Sequence, residues 1–533
     1  MTIPLVGAPR GLKAILLPIS FFAMILLLLT VYRGTESEAE FFRKLSTINV
    51  GKINENNRHR PANTHAPPKY KPTPTLTVST VTDPFPLLAS STATPPPIPE
   101  YNMPRPGLHR EYGLSYQPPL FIGFTRQWPM LLQCVVSYIT AGWPPESIYV
   151  VENTGVQNSN ADGKLTLQNP FYLNHTTLHR LGVNVLQAPV LLSFSQMQNF
   201  FLATAHARDW PYYFYSHQDV LVFSFEDGAD DLERPGDREW FYYDDGDELD
   251  MTRPPAAGEP GYRTLYENCL RELNRTVERE ERWGFRWFQY DHLTLVNRAA
   301  LDAVGGWDSL MPYYGSDCDM NARLEMDGWS MRHRRVGIIN DVSTVMENLA
   351  ALYRDPRVRP RFVDPNPVPE AELEQIEQTS PASEPGSESD SSSPSDGKAA
   401  QKKTEKRGTI SSNSHGGGGG SNVNSGSGSK KNSVSLAKSL DYFRALVKVV
   451  DYMGIYKYRS DNYARNSWQT SQHGGAGEPY HYDADGFATS FWILAEAGRE
   501  VFRQKWGHRD CDLVAETALK LDDQWRVEKD WED

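Results

Sequence analysis

The stretch Tyr212-Tyr-Phe-Tyr-Ser-His217-Gln218-Asp219-Val-Leu-Val-Phe223 constrains the fold most. Short runs of aromatic and β-branched residues read as buried strand. The polar triplet then falls where that strand ends or is interrupted, because unsatisfied polar groups are costly in a core. His217 and Asp219 are two apart, so an extended backbone points them to the same side. Imidazole with carboxylate suits Mn, Zn or Fe. The same pair can equally cap a turn, and the triplet alone favours that plainer role.

The flanking sequence extends the strand into an α/β pattern. Leu120–Thr125 reads as a strand, Pro129–Ala141 as a helix and Ile148–Glu152 as a second strand entering the turn at Gly155. Strand, helix, strand makes a βαβ unit with parallel strands. Such sheets bind ligands at the carboxyl ends of their strands, which brings forward Thr125, Arg126 and Glu152. Each of these is equally an ordinary loop polar residue. Residues 182–186 give a third strand, and a helix over 195–207 carries Asn199.

Beyond Phe223, residues 226–260 are acidic and turn-rich and read as a solvated surface insertion. No calcium-loop spacing is present. A helix over 262–283, one alternating strand over 285–296 and a short helix over 297–304 follow. Gly305-Gly-Trp-Asp308 then leads to Ser316-Asp317-Cys318-Asp319 at a helix start. Acids there are good caps, but a carboxylate among aromatics can also have its pKa raised and act as a general base. A strand over 329–345 begins with Arg332, His333, Arg334 and Arg335, which can face phosphates or pair with the acidic insertion.

The outer parts of the chain are of other kinds. Residues 14–32 carry no charge, and roughly 19 residues at about 1.5 Å each just span a bilayer core. We read 1–13 as a cytosolic tail, 14–32 as an uncleaved single-span anchor and 33–116 as a disordered Pro/Thr-rich stem. The body is expected over 117–363. A disordered low-complexity insertion over 364–435 precedes a C-terminal helical part, 436–533, that packs back on it. The sequons at Asn174 and Asn274 fit a lumenal body. The net charge of −13, without a basic stripe, argues against nucleic acid as a partner. Four scattered cysteines without a CxxC pair argue against a zinc ribbon and leave disulfide pairing open.

Taken together, Phe124-Thr125-Arg126, Val150-Val-Glu152-Asn-Thr-Gly155, Asn199, His217-Gln218-Asp219 and Gly305-Gly-Trp-Asp308 with Ser316-Asp317-Cys-Asp319 resemble a GT-A glycosyltransferase of the broad inverting, family 2-like group. The resemblance spans residues 120–345, and the overall look is similar to fungal lumenal transferases with a type II anchor. It implies a Rossmann-like, mostly parallel sheet flanked by helices, in a body on the lumenal side of the Golgi or ER membrane. It also implies a nucleotide-sugar donor, UDP above all, and a glycan or glycoprotein acceptor. Mn2+ or Mg2+ would be held by Asp219, with His217 and a C-terminal histidine, His481 before His473 or His333. Glu152 would meet the base, with Thr125, Arg126, Asn199 and Gln218 around the donor, and Asp317 would be the catalytic base. Two departures stand out: His217 replaces the first acid of D-x-D, and Ser316 replaces the glutamate of a Glu-Asp pair.

Those departures keep a second reading open, a non-catalytic lumenal carbohydrate- or partner-binding relative on the same scaffold. A metal-dependent hydrolase using the same residues is a weaker third, without a paired-carboxylate or multi-His signature. A polysaccharide synthase is disfavoured, since it needs several spans and a Q-x-x-R-W signature. The sequence leaves the oligomeric state open.

Overall fold

The computed structural model describes residues 67–70, 72, 80–89, 92–228, 253–279, 282–362, 427–458, 474–475, 478 and 483–532. The chain divides into compact units at 1–77 and 78–533, and the sheets and helices of the body all belong to the second. The expected anchor, 14–32, lies outside the described residues. Among the described residues, no helix is long and apolar enough to cross a membrane.

A seven-stranded, mainly parallel sheet flanked by helices forms the centre. Its strands are β1 (Leu120–Phe124), β2 (Ile148–Glu152), β3 (Asn184–Gln187), β4 (Tyr212–Ser216), β6 (Trp283–Trp287), β7 (Leu293–Asn297) and β8 (Ser330–His333), in the order β3-β2-β1-β4-β7-β6-β8. The β3-β2-β1-β4 half is parallel, as the βαβ reading requires. Strand β7 runs antiparallel to both neighbours, and β8 returns parallel to β6. A second, antiparallel sheet pairs β5 (Val220–Phe223) with β9 (Ile338–Asp341).

The Tyr212–Phe223 stretch is therefore two strands in two sheets. The chain leaves the large sheet at Ser216, crosses through His217-Gln218-Asp219, and enters the small one at Val220. Helix α1 (Trp128–Thr140) is buried along its whole length. A helix apolar on all sides must lie inside the protein, and its polar residues are satisfied there. Gln133, for example, accepts from the Met346 amide at 2.7 Å and donates to the Thr344 carbonyl at 3.1 Å. On the opposite face of the sheet, Phe121 stacks on Phe201 of α2 (Phe194–Ala207), with ring centroids 5.0 Å apart.

Four expectations change. The single strand expected over 285–296 is a hairpin, because Gln289 and Tyr290 adopt positive φ (68° and 49°) and turn the chain. The strand expected over 329–345 is split between the two sheets as β8 and β9. The stem boundary at 116 gives way, since Phe85, Leu88 and Leu108 are buried in the main core. Composition there reports an extended, Pro-rich backbone and says nothing about where its few apolar side chains dock. Finally, Glu226, placed in a solvated insertion, is fully buried and paired with Arg354, Tyr101 and Asn102.

Further helices complete the frame: α3 (Leu265–Arg279), α4 (Arg298–Val304), α5 (Ser316–Met326), α6 (Ser427–Tyr458) and α7 (Ala484–Trp506). Helix α6 starts inside the stretch assigned to linker, 364–435, and its Phe443, Leu446, Val450 and Met453 enter the main core. Helix α7 packs on α5, where the disulfide Cys318–Cys511 also ties the C-terminal region down. Cys134 and Cys269 are buried thiols.

Candidate active site

Parallel strands bring their carboxyl ends to one edge. There lie Thr125 and Arg126 after β1, Glu152 closing β2, and the His217-Gln218-Asp219 crossover after β4. The β6–β7 turn reaches the same edge, because Leu293 pairs with Ser216 and the His217 amide donates to the His292 carbonyl at 3.3 Å. Residues Tyr290, Asp291 and His292 of this turn escaped sequence reasoning, since the region read as one unbroken strand.

The turn and the start of α5 form a small open recess, lined by Tyr215, Phe285, Trp287, Tyr290, Trp307, Asp291, Asp317 and Asn321. Tyr290 Oη donates to Asp317 Oδ2 at 3.1 Å. Burial, followed by the charge of Asp291, raises the Asp317 pKa above the ordinary carboxylate value. Asp291 goes the other way: burial alone would raise it, but His217 outweighs that and lowers it. Two neighbouring carboxylates pushed apart in pKa is how one becomes a proton acceptor near neutral pH while the other stays ionised.

His217 Nε2 lies 3.3 Å from Asp291 Oδ2. Burial depresses its pKa, but Asp291 above all, with Asp219 and Asp341, outweighs burial and holds it at about 9. His217 thus faces Asp291 across an ion-pair contact. Its departure from an acid has a physical reading: Asp291 supplies the carboxylate from another element, and His217 balances it.

Asp219 Oδ2 receives the Lys457 ammonium at 2.8 Å, and the same ammonium lies 2.6 Å from Asp341 Oδ1. His292 Nε2 is 3.6 Å from Asp341 Oδ2. Burial would raise the Asp341 pKa, but Lys457 and His292 bring it down to about 2. Carboxylate oxygens and an imidazole are donor types that suit Mn2+ or Mg2+, and the Lys457 ammonium lies between the two carboxylates. Asp341 and Lys457 had no local signal in the sequence; only the β5–β9 pairing and the end of α6 bring them to Asp219.

The other sequence candidates divide. Gln218 Nε2 donates to the Arg126 carbonyl at 2.8 Å, closing the ends of β1 and β4 on each other. The Arg126 guanidinium stacks 3.7 Å above the Phe487 ring of α7, and Thr125 accepts from Asn153 at 3.3 Å. Glu152 is fully buried, and protein groups take both its oxygens: Asn160 at 2.8 Å, Thr154 at 3.3 Å, His175 at 2.9 Å and Gln187 at 3.2 Å. With four donors on it, Glu152 ties the end of β2 to its surroundings. Asn199 is likewise structural. It donates to the Trp307 carbonyl at 2.8 Å and accepts from the Trp307 amide at 2.9 Å, clamping the Gly305-Gly306 turn. A Cβ on Gly306, whose φ is +73°, would sit 2.9 Å from Asn199 Oδ1.

Ser316, where the resembled family has a glutamate, is buried and donates to the Tyr313 carbonyl. Asp319 is buried between Arg323, at 2.8 Å, and Lys505, at 2.7 Å. His333 packs against Trp287, with ring centroids 5.0 Å apart. His481 and His473 lie outside the described residues.

No family model matches the chain, and no curated protein does. Among solved structures it is similar to a mannosyltransferase, PcManGT from Pyrobaculum calidifontis, in complex with GDP-Man and Mn2+. The identity is 9%, the match covers 43% of this chain, and the TM-score is 0.25. The chain spans 60% of that protein's length, and the chemistry of the site rests on its own residues.

Proposed function

We propose that the chain is a glycosyltransferase that moves a sugar from a nucleotide-sugar donor, UDP-linked by preference, to a hydroxyl of a glycan or glycoprotein. The observation that carries this is Asp317: a carboxylate of raised pKa, in an aromatic-lined recess, at the carboxyl edge of a mainly parallel sheet. Flat aromatic walls suit a sugar ring.

In this reading Asp317 takes the proton of the acceptor hydroxyl as its oxygen bonds to the anomeric carbon. The bond from that carbon to the diphosphate breaks on the opposite side, so the configuration inverts. Tyr290 holds the Asp317 carboxylate in place through the hydrogen bond at its Oδ2. A divalent cation, Mn2+ or Mg2+, held by Asp219 and Asp341, would supply Lewis-acid neutralisation of the leaving diphosphate. A membrane anchor at 14–32, with the body in the Golgi or ER lumen, belongs to the same proposal. The sequons and the Cys318–Cys511 disulfide support it.

The test is sugar transfer from a panel of UDP- and GDP-sugars, with Mn2+, by the wild type and Asp317→Asn. Transfer by the wild type that the variant loses is the expected result; equal transfer by both removes Asp317 as base. A second reading, a non-catalytic carbohydrate-binding protein, is favoured by one specific observation: Lys457 already satisfies Asp219. Under that reading, glycan binds and neither nucleoside diphosphate nor nucleotide sugar does.

A further inference from the structure

Asp219 directly precedes β5 and Asp341 ends its partner β9, so the small sheet fixes the two carboxylates beside each other. The Val342 amide donates to the Asp219 carbonyl at 2.8 Å and locks that register. Between them sits one ammonium, on a side chain only 4% exposed. It comes from the last turn of α6, at the far side of a long insertion in the sequence. Tyr458 of the same turn donates to Asp341 Oδ2 at 2.5 Å. Two carboxylates against one ammonium leave the position with a net negative charge. That suits a cation of higher charge and opposes a diphosphate.

We propose that the Asp219–Asp341 pair, flanked by His292, is a divalent-cation site whose cation position is held in this state by the Lys457 ammonium, so that metal binding and docking of the end of α6 exclude each other. The helix is built for such an exchange. Its apolar side, through Met453, is fixed in the main core. Gly454 follows, and glycine is among the weakest helix formers. The final turn beyond Gly454, which also carries the buried Tyr456, has to withdraw for Lys457 and Tyr458 to release both carboxylates. Exchange of a monovalent for a divalent cation neutralises the pair, and only then does the edge accept a diphosphate. The last turn of α6 thereby becomes a control element on donor binding. This inference rests on the proposed transferase only for what the cation serves; the exchange itself is a binding property.

The experiment is a titration of the full chain with Mn2+ alone, following the free-ion signal by electron paramagnetic resonance. Lys457→Met is expected to bind one Mn2+ at least about tenfold more tightly than the wild type, since a competitor docked most of the time lowers affinity by the undocked fraction. Asp341→Asn in the Lys457→Met background is expected to lose that ion. Among the described residues, three ligating atoms converge within 4.8 Å of one another at the exposed His508–Asp510–Glu516 group and not at Asp219, Asp341 and His292, so Asp510→Asn is included and is expected to change nothing. Lys457→Gln serves as the second variant if Lys457→Met fails to fold, and added Mn2+ should raise its melting temperature more than that of the wild type. Equal Mn2+ affinity in the wild type and the Lys457 variants overturns the proposal, as does tight binding that survives Asp341→Asn. Failure to turn over any nucleotide sugar, with the Mn2+ exchange intact, removes the transferase reading and leaves this one standing.

Discussion

Tyr290 Oη reaches Asp317 Oδ2 at 3.1 Å, joining a hairpin turn to the first turn of α5. The phenol stabilises the ionised carboxylate, while burial and Asp291 destabilise it. Asp317→Asn is therefore expected to lower transfer by about 10²–10⁴-fold, the usual worth of a general base, with the melting temperature kept or raised. Tyr290→Phe removes a bond to the charged form, so it should move the acid limb of the kcat/KM profile to higher pH. A pH–rate profile of both variants checks this; an unmoved limb in Tyr290→Phe would show that the phenol does not act on Asp317.

His217 gives the fold a pH dependence of opposite kind to a salt-bridged acid. Burial lowers its pKa, but Asp291, Asp219 and Asp341 together raise it from 6.5 to about 9. A raised pKa means the folded state holds the proton more tightly than the unfolded chain. The stabilisation is fully present below pH 6.5 and is lost as pH rises through about 9. His217→Gln should flatten the fall in melting temperature between those limits, which thermal melts across that range will measure.

The large features were legible because they are local. The βαβ lead-in, the helix over 195–207 and the α5 start at Ser316 follow from periodicity, caps and the αL glycines at 305 and 315. The edge residues Asp219 and Asp317 were also legible, since strand ends and helix starts are marked in sequence. What escaped was whatever a second element supplies. Asp291 lay hidden in a turn that two positive-φ residues make, and neither of them is glycine or asparagine. Asp341 looked like any strand end, and Lys457 like any helix lysine, until sheet pairing and helix docking placed both on Asp219. Glu152 and Asn199 lie in the elements where the sequence placed them, and both are bonded there to protein groups. Sequence shows position along a strand, and it does not show how many donors a carboxylate has already gathered.

Glu152 supplies a test of that distinction. Burial raises its pKa, but hydrogen bonds from His175, Asn160 and Gln187 outweigh burial, and the net shift is downward. A lowered pKa gives stability that is present above the unfolded value and lost as pH falls through the folded one. Glu152→Gln turns an acceptor into a partial donor facing amides, so it should cost about 1–3 kcal/mol of stability. Donor KM should change little in whatever folds. A large rise in KM for the nucleotide sugar, at unchanged melting temperature, would restore Glu152 as a donor-binding residue.

Cys318 follows Asp317 directly, so the Cys318–Cys511 bond pins the residue beside the proposed base to the C-terminal region. It closes a loop of 193 residues, and losing such a link typically costs about 2–5 kcal/mol. Cys511→Ser should lower the melting temperature and reduce transfer, because the start of α5 loses one of its two anchors. The second anchor is polar. Asp319 accepts from Trp506 Nε1 at 3.0 Å and pairs with Lys505 at 2.7 Å and Arg323 at 2.8 Å. Asp319→Ala leaves the buried Arg323 without its carboxylate, while Lys505 keeps Asp308 at 2.8 Å; the expected cost is about 3–5 kcal/mol, and the change should be at least as damaging as Cys511→Ser. The two changes act on one α5–α7 junction, so their costs should not add. Thermal melts of the two single variants and the double variant measure this, and strict additivity would mean that the disulfide and the Asp319 pair hold independent parts of the fold.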